Sequence, residues 1–174
     1  MALYLIELTP ATASKDEATA LIETVSNSLS EGAELIETQV SADHKLIFAI
    51  IESDNTAFAP ALTAAIGERA SVVGPDEVRL VGAELDDIKK LKKDADYLVE
   101  WDIPAEITME QYLTRKKANA PKYAEVPEVS FLRTYVREDT AKCLCFYDAP
   151  DEDAVLRARK AVSTPIDRLF KLHA

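Results

Sequence analysis

Six residues with chemically useful side chains lie on predicted strands in the second half of the chain. They are Glu100, Arg133, Tyr135, Cys143, Cys145 and Tyr147. Side chains alternate between the two faces of a strand, so residues two apart, such as Cys143 and Cys145, share a face. Packing the more uniformly apolar strand sides against helices leaves all six residues on an uncovered sheet face. The pattern predicts a polar and aromatic ligand-binding site there, formed by Glu100, Arg133, Tyr135 and Tyr147.

Glu100 is the most informative single residue of this set. A carboxylate inside an apolar strand is costly unless it is paired or functional. One interpretation is structural: an ion pair with Arg133 or exposure at a sheet edge. The other is a general base or metal-binding carboxylate that faces a pocket. Glu37, the counterpart of Arg133 in the first half of the chain, is a further predicted partner of Arg133.

Cys143 and Cys145 form a C-x-C pattern on one predicted strand. Two thiolates can begin a soft-metal site, but zinc or nickel requires further ligands. The only histidines are His44 and His173. The alternative is a pair of reduced thiols in a core strand, because a disulfide between such strand neighbours is geometrically awkward. No catalytic residue is assigned from these patterns.

The charge of the chain is unevenly distributed. The net charge is −11, and residues 1–85 hold 14 acidic against 4 basic residues, whereas residues 97–174 hold 13 against 12. A general nucleic-acid binder needs a basic surface, so the composition disfavours that class. We find no apolar run long enough for a membrane span. The start of the chain lacks the pattern of a signal peptide, so we expect a cytoplasmic protein.

The sequence repeats itself with a period of about 90 residues, which is the size of a small domain. Tyr4-Leu5-Ile6-Glu7 is followed in the second half by Tyr97-Leu98-Val99-Glu100. Each half predicts the order strand, helix, strand, strand, helix, strand. Capping-box patterns at Ser14-Lys15-Asp16-Glu17 and Thr108-Met109-Glu110-Gln111 start the first helix of each half.

This order predicts an α+β protein of two tandem ferredoxin-like (βαββαβ) domains. The predicted domains are residues 1–85 and 97–174, joined by a charged linker at 86–96. Sheet-on-sheet stacking of the two domains would close a pseudo-dimeric α+β barrel. A further homo-oligomer is compatible with this arrangement.

Residues 96–172 resemble a family of small bacterial ferredoxin-like domains of unknown function that are often described as nickel-binding. The resemblance rests on the following segments: Tyr97-Leu98-Val99-Glu100, Pro127-Glu128-Val129, Leu132-Arg133-Thr134-Tyr135-Val136, the run Cys145 to Glu152 and Pro165-Ile166-Asp167-Arg168-Leu169. It implies a ferredoxin-like fold, dimer-type sheet packing and a divalent transition metal such as nickel. One departure is Ala158, which stands where members of that family commonly have a histidine.

The sequence therefore favours a non-enzymatic protein that binds a small molecule or a metal ion, with Cys143 and Cys145 as the metal-binding candidates. One alternative is a small cofactor-free α+β barrel enzyme of the monooxygenase or isomerase type, with Glu100 or Tyr135 as base beside Arg133. Another is an acidic protein-interaction module. Neither nucleic acid nor membrane is an expected partner.

Overall fold

The computed structural model describes residues 1–91 and 94–172, which form two compact units. The first unit holds Met1–Val78 and residues 85–91, and the second holds Arg79–Glu84 and residues 94–172. Arg79–Glu84 thus clusters with the second unit although it precedes the predicted linker. Lys92 and Lys93 of that linker, and residues 173–174 of the predicted second domain, lie outside the described residues.

The first unit has the predicted order of elements. Its elements are β1 Ala2–Pro10, α1 Lys15–Ser28, β2 Ala33–Val40, β3 Ile47–Ser53, α2 Ala59–Ile66 and β4 Ala70–Val81, and the short helix α3 Leu85–Lys89 follows. The strands form an antiparallel sheet in the order β2-β3-β1-β4. The Ser14 hydroxyl accepts a hydrogen bond of 3.1 Å from the Glu17 amide, so it caps α1 as predicted.

The helix-facing core of the first unit is made of apolar residues. It includes Tyr4, Ile6 and Leu8 of β1, Ile47, Ala49 and Ile51 of β3, Leu21 and Val25 of α1, and Leu62 and Ile66 of α2. These side chains recur every second residue in the strands and at helical spacing in α1, as a half-buried sheet and an amphipathic helix require. Removal of this apolar surface from water is the main source of stability for the unit.

The sequence pattern predicts only residues 77–81 as the last strand of the first half, whereas β4 begins at Ala70. Gly74 and Pro75 suggest a strand break, but they lie where the pairing with β1 shifts register between Leu5 and Glu7. Proline and glycine are tolerated at such irregularities. Gly74 has a φ of +105°, and a Cβ there would collide with the Leu5 carbonyl oxygen. Glycine is therefore required at this position.

The second unit follows the same plan. Its elements are β5 Tyr97–Asp102, α4 Met109–Asn119, β6 Ser130–Arg137, β7 Lys142–Asp148, α5 Glu152–Ala161 and β8 Arg168–Lys171, with a 3₁₀ segment at Ala120–Glu125 after α4. The antiparallel strand order is β6-β7-β5-β8, equivalent to that of the first unit. Thr108 and Gln111 form the predicted capping box of α4. The prediction of an α+β, ferredoxin-like fold is therefore confirmed for the order of elements and of strands within each unit.

Each unit has a bulge at the same place in its sheet, and the first unit also has the β1–β4 irregularity described above. In β2, Leu35 pairs with Ile51 and Glu37 with Ile50, so Ile36 is an extra residue. In β6, Phe131 pairs with Tyr147 and Arg133 with Phe146, so Leu132 is extra. An extra residue reverses the faces of the residues that follow relative to those that precede it.

No helix within residues 1–91 and 94–172 is both long enough and apolar enough to cross a membrane.

Candidate functional site

The six predicted site residues lie on two different faces of the second unit's sheet. Cys143, Cys145 and Tyr147 belong to the core cluster that includes Tyr112 of α4 and Ala158 of α5, so they face the helices. The prediction that they share an uncovered face with Glu100, Arg133 and Tyr135 is wrong. Arg133 and Tyr135 contact the ring of Phe146, which alternates with Cys145 and Tyr147 along β7.

The described residues of the second unit contain a pocket between the sheet and its helices. We call it the sheet–helix pocket. It is lined by Trp101, Tyr112, Arg115, Lys116, Asn119, Ala120, Tyr123, Phe131, Cys143, Cys145, Arg159, Val162 and Thr164. Its accessible volume is about 40 Å³, and it spans about 450 Å³ when the part open to solvent is included. A water molecule needs roughly 10–15 Å³ of accessible volume, so the pocket suits a small ligand.

Both thiols are buried at the sheet wall of the pocket. The two Sγ atoms are 4.0 Å apart, and the Thr134 hydroxyl donates a hydrogen bond of 3.2 Å to the Cys145 Sγ. The hydrogen bond from Cys143 lowers the pKa of Cys145, with support from the Lys116 and Arg159 charges. The same bond and burial raise the pKa of Cys143. The pair therefore favours a thiolate at Cys145 and a protonated Cys143.

Arg159 connects the pocket to a chain of hydroxyl groups. Its Nη1 donates to the Tyr147 hydroxyl at 3.0 Å, and its Nη2 donates to the Pro165 carbonyl at 2.6 Å. The Tyr147 and Tyr123 hydroxyls are 2.6 Å apart. Burial raises the pKa of Tyr123 to about 12 and also raises that of Tyr147. Both phenols therefore stay neutral at physiological pH.

Two polar atoms at the pocket are buried without a hydrogen-bond partner among the described residues. They are the Tyr112 hydroxyl and the Arg159 Nε, on side chains of residues only 4% and 2% exposed. The Tyr112 hydroxyl is near enough to the Cys143 thiol to influence its pKa, but without hydrogen-bond geometry. A buried unsatisfied polar group costs about 1–3 kcal/mol. Both atoms belong to residues that line the pocket, where a ligand would satisfy them.

Two further cations of α4 line the pocket, each over an aromatic ring. The Arg115 guanidinium carbon is 5.4 Å from the centre of the Trp101 ring, and the Lys116 Nζ is 4.3 Å from that of Phe131. Such contacts hold a cation close to an apolar wall. With Arg159, they give the pocket three basic groups.

The Phe131 ring lies close against Gly82. Phe131 stacks on Tyr123 with a ring-centre distance of 5.5 Å and an interplanar angle of 7°. Gly82 has a φ of +87°, and a Cβ there would lie 2.7 Å from the Phe131 ring. A residue larger than glycine at position 82 would therefore push this ring.

Glu100 is buried in a network of ion pairs on the other face. Its carboxylate pairs with Lys142 at 3.3 Å and with Arg168, which also pairs with Asp102. β8 pairs Arg168 directly opposite Glu100, so the cross-strand position explains the contact. The structural interpretation of Glu100 therefore holds, although with partners other than the predicted Arg133. The predicted pairing of Glu37 with Arg133 stays a prediction.

The donor set does not fit a resident nickel or zinc ion. Within residues 1–91 and 94–172, we find no group of three or more His, Cys, Asp or Glu side chains placed to hold a metal. The two thiols supply only two donors, whereas these ions take four or more ligands in closed sites. His44 lies in the β2–β3 turn of the first unit, and His173 lies outside the described residues.

The sequence analysis missed Arg159 and Tyr112. Arg159 follows Val155 by four residues and precedes Val162 by three, so the helical period places it on the apolar face of α5. A basic residue on that face is a detectable sign of a buried functional or structural charge. Tyr112 carries no such sign, because tyrosine is common in cores.

The comparisons with solved structures support the fold. TA0507, provisionally assigned as a chlorite dismutase, matches with a TM-score of 0.59 and 15% identity, over 100% of this chain and 96% of its own. FN1347 of Fusobacterium nucleatum, provisionally assigned as a monooxygenase, matches with a TM-score of 0.55 and 14% identity, over 98% of this chain and 90% of its own. At such identities the likeness shows the fold alone. Among curated proteins, none matches this chain.

One family model matches the second unit. It describes the nickel responsive protein SCO4226-like family, and it covers residues 97–172. The solved structure of SCO4226 from Streptomyces coelicolor A3(2) covers 44% of this chain and 94% of its own, with 17% identity and a TM-score of 0.38. That score is too low to add an argument of its own. The resemblance that the sequence shows over 96–172 is therefore confirmed as a match of this segment to the SCO4226-like family.

Proposed function

We propose that this protein binds a small anionic ligand in the sheet–helix pocket of its second unit. The observation that carries the proposal is the pair of unsatisfied buried atoms, the Arg159 Nε and the Tyr112 hydroxyl. Both can donate a hydrogen bond, so the oxygens of a carboxylate or similar oxyanion are suitable acceptors for them. A hydrogen bond that involves an ion is about twice as strong as a neutral one.

The charge of the pocket supports an anion. Arg115, Lys116 and Arg159 line it, no Asp or Glu is among its described lining residues, and the Cys145 thiolate is one negative charge against three positive ones. A partly enclosed site with low-dielectric walls increases the attraction between such cations and an entering anion. The preference is local, because the whole chain is strongly acidic.

The walls support a flat apolar body on the ligand. Trp101, Tyr112, Tyr123 and Phe131 surround the polar groups. Ligand pockets commonly combine apolar and aromatic walls with a few polar groups that fix orientation. The modest volume of the pocket favours a small ligand, so benzoate, one ring with an acidic group, is a suitable probe.

The enzyme alternative has less support. Glu100 is ion-paired with Lys142 and Arg168, and Tyr135 packs on Phe146 outside the lining of the pocket. Neither predicted base therefore faces the space where a small substrate would fit. The assignments of TA0507 and FN1347 describe those proteins and carry no activity over to this chain.

The family name suggests nickel, but the donor set favours an organic anion over a resident divalent ion. The predicted domain boundaries 1–85 and 97–174, the pseudo-dimeric barrel packing, a further homo-oligomer and a cytoplasmic location stay predictions. Light scattering coupled to size-exclusion chromatography would measure the oligomeric state.

Trp101 provides the test, because it is the single tryptophan of the chain and lines the pocket. We expect benzoate to change Trp101 fluorescence saturably, and its neutral isostere benzamide to bind at least ten-fold more weakly. Tyr112→Phe should weaken benzoate several-fold, since it removes one donor. Tyr4→Phe in the first unit is the matched control. Equal binding of benzoate and benzamide, or no saturable response to either, would overturn the proposal.

A further inference from the structure

We propose that Cys143 and Cys145 together bind one soft monovalent cation of the Cu(I) class, with a coordination position open to the sheet–helix pocket. This site differs in chemistry from the anionic-ligand site and does not depend on it. Both thiols line the pocket, and their Sγ atoms are 4.0 Å apart. The separation of the sulfurs, the charges around them and the number of ligand atoms support this site.

The strand fixes the separation of the two sulfurs. β7 is paired on both sides, Cys145 with Val99 of β5 and with Thr134 of β6, so its backbone is held rigidly. With metal–sulfur bonds of about 2.3 Å, a sulfur separation near 4 Å gives an angle of about 120° at the ion. That angle suits three-coordinate geometry, in which the protein supplies two ligands and the pocket leaves room for a third.

The charge of the pocket favours a monovalent ion. Two thiolates and one monovalent cation leave a net charge of −1, which the nearby Arg159 and Lys116 can balance. A divalent ion would leave the centre neutral and the buried charge of Arg159 uncompensated. Because buried charges are costly unless paired, the surroundings stabilise the anionic centre.

Donor number and softness agree with this assignment. The described residues place only two sulfur donors at this wall, and thiolates prefer soft ions such as Cu(I). Nickel and zinc require more ligands in a closed site. The hydrogen bond from the Thr134 hydroxyl to the Cys145 Sγ further favours the thiolate form that binds metal. Binding the cation displaces the remaining thiol protons, without a redox step.

The test is an anaerobic titration of the reduced protein with Cu(I) against a chromogenic Cu(I) chelator. We expect one ion per chain, and loss of at least 100-fold in affinity in Cys143→Ser and in Cys145→Ser. Ni²⁺ and Zn²⁺ should bind at least 1,000-fold more weakly. Tyr112→Phe keeps both thiols, so one Cu(I) ion per chain should still bind, whereas benzoate binding should be weakened. The two proposals can therefore fail separately.

A second measurement avoids variants that fail to fold. In the wild-type protein, one equivalent of Ag(I), a redox-stable analogue of Cu(I), should protect both thiols from alkylation by N-ethylmaleimide. Mass spectrometry of peptides that contain Cys143 and Cys145 would measure this protection. Unprotected thiols, Cu(I) binding retained in folded serine variants, or comparable binding of Ni²⁺ would each overturn the proposal.

Discussion

The two units use the same frame and fill it differently. In the first unit, the helix-facing residues of β3 are Ile47, Ala49 and Ile51, which pair with β1 residues Leu8, Ile6 and Tyr4. In the second unit, the equivalent positions hold Cys143, Cys145 and Tyr147, which pair with Trp101, Val99 and Tyr97. β3 therefore faces its helices with hydrocarbon side chains, whereas β7 faces its helices with two thiols and a phenol.

The difference shows where function can be accommodated in this fold. The first unit packs Leu21, Leu62 and Ile66 against its strands, all fully buried. The second unit places Tyr112 and Arg159 in its helix layer, with a pocket beside them. Unsatisfied polar atoms lower stability, so a pocket that contains them indicates a role beyond folding.

The largest expected effect is the loss of stability when Arg159 is replaced. Arg159→Met removes the bonds to the Tyr147 hydroxyl and the Pro165 carbonyl and should lower the free energy of unfolding by about 3 kcal/mol. Urea unfolding followed by Trp101 fluorescence would measure it. Arg69→Met in the first unit is the control, because Arg69 makes a half-exposed pair with Glu17 and should cost less than about 1 kcal/mol. Equal losses would contradict the buried role of Arg159.

The next prediction compares alanine substitutions at two glycines with similar φ angles. Gly82→Ala should cost about 2–3 kcal/mol and reduce benzoate binding, since its Cβ meets the Phe131 ring and its φ is strained. Gly32, with a φ of +92°, has open space around the same atom. Gly32→Ala should therefore cost only about 1 kcal/mol of backbone strain. Urea unfolding of both variants measures the difference, and equal costs would show that the Phe131 contact is unimportant.

Two tyrosine substitutions should have opposite signs. Tyr112→Phe removes a hydroxyl without a partner among the described residues and should stabilise the free protein by about 1 kcal/mol. Tyr123→Phe removes the bond to the Tyr147 hydroxyl and should destabilise it by about 1 kcal/mol. Thermal and urea unfolding would measure both. Destabilisation by Tyr112→Phe would show that its hydroxyl is satisfied, and would remove the main support for the anion site.

The smallest effect at neutral pH is a pH dependence that becomes visible only in the alkaline range. Because burial raises the pKa of Tyr123 to about 12 from an ordinary value near 10, its contribution is complete below pH 10. Between pH 10 and 12 the unfolded chain loses this proton while the native state keeps it, so stability falls by up to about 1.4 kcal/mol per pH unit. Tyr123→Phe removes this titrating group. The free energy of unfolding, measured with urea, should therefore fall less steeply with pH, by up to about 1.4 kcal/mol per pH unit. Equal declines in the wild-type protein and in Tyr123→Phe would contradict the raised pKa of Tyr123.

Element types could be predicted from the sequence because they depend on local patterns. Apolar alternation predicted the strands at Tyr97 and Ser130, and the Thr108 capping box predicted the start of α4. The early part of β4 was missed, because the Gly74-Pro75 pair suggests a turn and only pairing with β1 makes it a strand. Local propensity does not report such tertiary pairing.

The site could be predicted only in part. Cys143 and Cys145 were correctly placed on one face, since a period of two requires it. The choice of face was wrong, because the apolar sides of Leu144 and Phe146 appeared better suited to helices than the thiols. Regular alternation puts Phe131 and Arg133 on one face, whereas the extra residue Leu132 puts them on opposite faces. Sequence spacing carries no mark of that extra residue.

The bulges at Ile36 and Leu132 have a consequence for how this fold can vary in evolution. An extra residue in a strand decides which of the residues after it face the helices and which face away from them. Exchange of Leu132 for another residue keeps these faces, and so would its deletion, because Phe131 would still pair with Tyr147 and Arg133 with Phe146 in a regular strand. Single-residue changes in the length of β6 should therefore be found at the bulge, and other changes in chain length should collect in turns such as residues 138–141.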